Sequence, residues 1–200
     1  MVKVALTILK KEGLTRVTMR RIATALETGP ASLYVYVRDT QDLHAQILDA
    51  LLGDLPAPAP GPHWRADLTR VTEAYLAVLT RYPAIARMTL STHTAGPNSL
   101  RLVDTLAGLL LAGGASVRAA AWGVDLVNSY VVATAIEHDQ RQTGQDLGID
   151  ELRRVMTTLD AAKHPHLARL GDEFFSGEGL ERFRWGLEVM VRGIVSPAGS

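Results

Sequence analysis

The 200-residue chain has no cysteine, which excludes both disulfide staples and thiolate metal sites. It has no net charge either: 21 lysines and arginines balance 21 aspartates and glutamates. The N-terminal residues mix charge with apolar side chains and lack the apolar run of a secretory signal. The longest apolar stretches carry Asp or Asn and fall short of a clean membrane span. No stretch sustains period-two alternation, and no internal repeat is visible. A nucleophile elbow, a phosphate-binding loop and a GxGxxG fingerprint are all missing; Gly177 and Gly179 flank a turn with no strand before it. The six histidines are scattered, and His164 and His166 have no carboxylate at ligand spacing in the same helix. An enzymatic reading therefore has no residues to name, and neither a cofactor nor a metal is expected.

Hydrophobic residues make up 47% of the chain, enough for a sizeable core in one large or two small domains. The zero net charge hides an asymmetry. Residues 1–38 hold seven cations (Lys3, Lys10, Lys11, Arg16, Arg20, Arg21, Arg38) against Glu12 and Glu27, a net +5. The other 162 residues carry −5. A basic head on an acidic body suits localised phosphate binding.

Within that head, Thr18 is a good N-cap for a helix whose Ile22, Ala23 and Leu26 form one apolar face. Glu27-Thr28-Gly29-Pro30 breaks the pattern: glycine permits a positive φ and proline suits a new helix start. A second short helix is expected over Ala31 to Val37, with Leu33 and Val37 inward and Ser32, Tyr34 and Tyr36 on other faces. Two short helices joined by a tight turn describe a helix-turn-helix.

These residues carry a resemblance. Thr18-Met19-Arg20-Arg21-Ile22-Ala23, then Ala31-Ser32-Leu33-Tyr34-Val35-Tyr36-Val37-Arg38, then Leu43, resembles the DNA-binding domain of the tetracycline repressor (TetR) family over about residues 1–52. Two positions depart from the family: Glu27 stands where glycine is usual in the turn, and Thr40 where a phosphate-contacting lysine is usual. The resemblance implies DNA contact by Thr18, Arg20, Gly29, Pro30, Ala31, Ser32, Tyr34, Tyr36, Arg38 and Thr40. Arg20, Arg38 and Thr40 would position on phosphates, and Gly29 to Ser32 would meet base edges. Tyr34 and Tyr36 would touch backbone or a thymine methyl.

Helices are expected over residues 1–13 and from Asp39 or Thr40 to Leu52, and a few more residues are expected ahead of the first. Four prolines in residues 53–62 mark a stiff linker between a DNA-binding domain, 1–52, and a ligand-binding and dimerisation domain, 63–200. That body reads as all-α: helices over 64–82, 84–90, 98–112 with Asn98 or Ser99 as cap, 116–140, 150–162 and 179–195. His164-Pro165-His166 is expected to break a helix, with residues 167–172 irregular.

Residues 119–136 are apolar nearly all round, and the last helix is apolar at i, i+3, i+4 spacing. Both have apolar surface to spare. A two-fold dimer uses it, with Val127, Val131, Phe183, Leu187, Met190 and Val191 expected at the interface; the resemblance implies the same helix pair. Tyr75, Met88, His93, Trp122, Asp125, Asn128 and Tyr130 interrupt apolar helices, and all but Tyr130 are assigned to an effector pocket whose existence the resemblance implies; the alternative is that Tyr75 and Trp122 are core and that Asp125 and Asn128 pair internally or across the dimer. Residues 92–97 fall where tetracycline repressors bind drug and metal but do not match that motif, so neither ligand is carried over.

The reading is a cytoplasmic, ligand-responsive transcriptional repressor that binds palindromic operator DNA as a homodimer, without a membrane partner. The alternative is a helical small-molecule-binding or enzymatic protein without DNA function.

Overall fold

A computed structural model describes residues 1–89, 95–144 and 148–196. Among them there are helices and no strand. The head comprises α1 (Val2–Glu12), α2 (Met19–Ala25), α3 (Pro30–Leu33) and α4 (Thr40–Leu51). Ala5, Ile8, Ile22, Leu33, Val37, Leu43 and Ile47 all fall below a tenth exposed and make its core. The caps explain the helix starts: Thr18 Oγ1 accepts from the Arg21 backbone N–H at 3.2 Å, and Asp39 Oδ1 from that of Asp42 at 2.8 Å.

Two local expectations for the head change. α3 is one short turn rather than a helix reaching Val37. Gly29 has φ −80°, whereas Glu27 takes the left-handed conformation at φ 53°. The reason is a Schellman closure of α2: Thr28 N–H donates to Ala23 O (3.0 Å) and Glu27 N–H to Thr24 O (3.2 Å), which demands a left-handed residue between them.

The body follows as α5 (Trp64–Arg81), α6 (Pro83–Thr89), α7 (Pro97–Ala112), α8 (Val117–Gln142), α9 (Ile149–Thr157), α10 (Pro165–Leu170) and α11 (Gly179–Val195). α8 is the central rod, packed by α5, α6, α7 and α11. By length and composition alone it could cross a membrane, contrary to the sequence expectation. Val124, Val127, Val131, Val132 and Ala135 are buried, which makes it the core helix of this bundle. Gly123 allows the approach: a Cβ there would meet Ile194 at 2.9 Å and Leu110 at 3.0 Å. α7 is capped by Gly96 with Pro97 at its first position, not by Asn98 or Ser99, because those two side chains turn to Asp49 on α4. Pro165 begins a helix instead of only ending one, so residues 167–170 are helical and a 3-10 turn, Gly171–Phe175, follows.

Residues 55–63 carry no helix and lie against α7. Leu55 is buried, Pro60 lies where a Cβ on Gly108 would sit 2.9 Å away, and Arg101 donates to Leu52 O (3.1 Å) and Gly53 O (2.7 Å).

Candidate functional site

The stretch from the start of α2 to the first residue of α4 presents Thr18, Arg20, Gly29, Pro30, Ala31, Ser32, Tyr34, Tyr36, Arg38 and Thr40, all of them exposed. Their availability differs. Ser32 Oγ donates to Gly29 O at 2.6 Å and shares a 2.7 Å bond with Thr28 Oγ1, so its proton is spent on the turn. Its oxygen can still accept from a base amino group. Arg21 is held by Glu12 at 2.9 Å, a pairing that holds the Glu12 carboxyl below the ordinary carboxylate range. Arg20 has no such pairing among the described residues. Arg38 stands at the start of α4, 3.5 Å from Asp42, whose carboxyl is held low chiefly by the Arg38 backbone N–H.

After α3 the chain turns through Tyr34, Val35 and Tyr36, which are 56%, 82% and 67% exposed. Gln46 Nε2 pins this turn by donating to Tyr36 O at 3.1 Å. Three consecutive large exposed side chains on a basic surface form a ridge suited to deoxyribose and thymine methyls. Val35 belongs to that ridge and was not among the sequence candidates. The signal was present: Leu33 and Val37 fill the inward positions, which leaves residue 35 outside.

In the body the structure exchanges two groups of candidates. Val127 and Val131 are fully buried, and Phe183, Leu187 and Val191 are 1–2% exposed, inside a single chain. They form the core and offer almost no surface to a second copy, while Met190 is half-buried against them. Trp122 and Asp125, expected in a pocket, instead lie on the outward side of α8. That outward side, with Trp122 (71% exposed) and Leu126, and the outward side of α11, with Trp185 (72%) and Val189, carry exposed apolar surface. A helix that is apolar all round has no pattern to say which side faces in.

The remaining pocket candidates do not converge. Tyr75 OH donates to Asn128 Oδ1 at 3.2 Å within the core, and burial pushes the phenol up to about 12. Met88 is half-buried on α6, and His93 lies outside the described residues. A groove of about 730 Å³ lies between α5, the C-terminal half of α8 and the N-terminal half of α11. Leu76, Thr80, Tyr130, Thr134, Phe183 and Trp185 line it. Of the seven polar and aromatic residues noted in the sequence, Tyr130 alone among the described ones lines this groove. Its ring stacks on Phe183 at 5.4 Å between centroids, and its hydroxyl reaches Arg182 O (3.2 Å) and Phe183 O (3.3 Å). Among the described residues no cluster of His, Asp or Glu could hold a metal.

Comparison with known proteins agrees with this architecture. The family profile described as "Tetracyclin repressor-like, C-terminal domain" matches residues 57–196. The transcriptional repressor DrrR1 of Streptomyces coeruleorubidus is 28% identical over 210 residues, covering 95% of this chain and 76% of that protein. The crystal structure of a Streptomyces transcription regulator, SCO7704, is 39% identical with a TM-score of 0.80, covering 100% of this chain and 94% of that one. ActR of Streptomyces coelicolor, solved in complex with actinorhodin, is 31% identical with a TM-score of 0.85 and covers 100% and 96%. A basic helix-turn-helix joined to a helical body, with these relatives, places the chain in the TetR family of transcriptional regulators, which are not enzymes.

Proposed function

We propose that this chain is a transcriptional repressor that binds an inverted-repeat operator as a homodimer and leaves it when a small molecule binds the body. The exposed Tyr34-Val35-Tyr36 ridge on the basic head is the observation that carries the DNA reading. Arg20, Arg38 and Thr40 set the register on phosphates, and the α3 turn with its ridge reads base edges and methyls. Residues 1–52 act as reader, 53–62 as connector and 63–200 as effector and pairing body, and the protein works in the cytoplasm.

One short recognition turn touches few bases, so a second copy is needed to reach useful specificity. The pairing surface in this proposal is the outward side of α8 and α11, centred on Trp122, Leu126, Trp185 and Val189. Ligand release is supported by the likeness to ActR, a TetR family protein solved with actinorhodin. The effector acts by preferring a head separation that DNA does not, a coupling between two ligands through two states.

Selection from random duplexes at two salt concentrations tests the DNA reading. The wild-type chain is expected to enrich an inverted repeat and to weaken steeply with salt. Tyr34→Ala is expected to lose enrichment. A wild type that enriches nothing, or a Tyr34→Ala variant that enriches as well, overturns the reading.

A further inference from the structure

The interior between α5, α7 and α8 is filled: Val71, Leu79, Leu109, Leu110, Val127 and Val131 have no exposed surface. Room for a ligand lies outside that layer, in the groove of α5, α8 and α11. We propose that this groove is the effector site and that it takes a flat aromatic molecule bearing one acidic group. The inference rests on the ligand-release reading given above.

Charge and hydrogen bonding on the groove walls select that class. Three acids line the groove, and each is committed. Glu73 accepts from Arg184 at 2.5 and 3.1 Å, Glu137 is paired with Arg141, and Glu178 caps α11 in a capping box with Glu181. Arg182, on the same wall, makes no ion pair among the described residues. A cation that makes no ion pair among the described residues, beside aromatic walls, favours an anionic ring system, since the guanidinium both pairs with acids and stacks.

The walls supply flat apolar surface through Leu76, Leu180, Phe183 and the exposed Trp185 ring. Thr80 and Thr134 spend their protons on Leu76 O (3.0 Å) and Tyr130 O (2.8 Å) of their own helices. Their oxygens are left as acceptors for a ligand hydroxyl. Gly186 keeps the groove's end in shape, because a Cβ there would fall 2.2 Å from the Tyr130 hydroxyl. About 730 Å³ is in the range of drug-sized ligand pockets. One wall, α11, also carries Trp185 and Val189 of the proposed pairing surface, so a ligand in the groove bears directly on subunit geometry.

The test uses the full chain and two fluorescent probes, 8-anilinonaphthalene-1-sulfonate and its uncharged counterpart N-phenyl-1-naphthylamine. Arg182→Gln is expected to weaken the sulfonate roughly tenfold, the worth of one charge-assisted hydrogen bond, and to leave the neutral probe unchanged. Ala77→Trp, which fills the groove from an exposed helix position, is expected to abolish binding of both without lowering the melting temperature. Sulfonate binding that neither variant alters overturns the site. Duplex release by the sulfonate in wild type and not in Ala77→Trp supports the effector role. Groove binding without release leaves the site standing and refutes its role as the effector switch.

Discussion

Asp49 on α4 and Ser99 on α7 are joined by one carboxylate oxygen: Asp49 Oδ1 accepts from the Ser99 backbone N–H at 2.8 Å and from its hydroxyl at 2.9 Å. Asn98 Nδ2 adds a bond to Oδ2 at 3.1 Å. Asp49 is only 8% exposed and sits in the first turn of α7, where free N–H groups and the helix dipole favour an anion. Helix α4 belongs to the head and α7 to the body, so this carboxylate joins the two. Asp49→Ala leaves the α7 amides without that partner and should cost about 1–3 kcal/mol in denaturant unfolding. Gly96→Ala should act alike, because its Cβ would lie 2.2 Å from Asp49 Oδ1 and would expel the carboxylate. Unchanged midpoints in both variants would show that the contact carries no stability.

Glu27 holds φ 53° at the close of α2, a conformation that costs an L-residue with a Cβ roughly 1 kcal/mol. Glu27→Gly removes that strain and loses some unfolded-state restriction in return. The net expected gain is at most about 0.6 kcal/mol, read as a higher melting temperature with operator affinity retained. A lower melting temperature would mean that the Glu27 side chain stabilises the turn in some other way.

His44 on α4 has a buried Nε2 with no hydrogen-bond partner among the described residues, and desolvation lowers its pKa from the ordinary value. The folded state therefore resists protonation while the unfolded chain accepts the proton below about 6.5. Stability from this source is intact above that pH and declines as pH falls below it towards the depressed folded value. His44→Gln should flatten the slope of stability between pH 6.5 and 5 relative to wild type. Identical slopes would remove His44 from the acid response.

Where sequence patterning was one-sided, it placed the helices well. Ile22, Leu33, Val37 and Leu43 lie on amphipathic pieces of the head, and all are buried as their spacing requires. Thr18, Asp39 and Ser116 announce helix starts through side chains that accept backbone N–H groups, and each does so. The α8 helix offered no such contrast. Val127 and Leu126 are equally apolar neighbours, yet one has no exposed surface and the other is half exposed. That difference is set by where α5, α7 and α11 pack, which is information held in other parts of the chain. The Asp49–Ser99 contact was illegible for the same reason: fifty residues separate its partners. The groove was equally hidden, since it is built from three helices and its Glu73 is committed to Arg184 more than a hundred residues away.

The exchange of core and surface on α8 and α11 has a direct consequence. Leu187→Ala removes core volume and should cost about 2–5 kcal/mol, and Val127→Ala somewhat less. Trp122→Glu and Trp185→Glu alter residues more than two-thirds exposed and should leave the fold within about 0.5 kcal/mol. A large loss of subunit stability in the tryptophan variants, or none in the core variants, would reverse the assignment.

The proposed pairing of two readers on one operator is tested most directly by sedimentation mass of the chain bound to its selected duplex, wild type beside a Trp122→Glu, Trp185→Glu double variant. Two wild-type chains per inverted repeat are predicted, with half-site centres about 34–36 Å apart along the duplex. The double variant should sediment as a single folded chain without stable complex. One wild-type chain per duplex, or a double variant that still binds in pairs, would contradict the account.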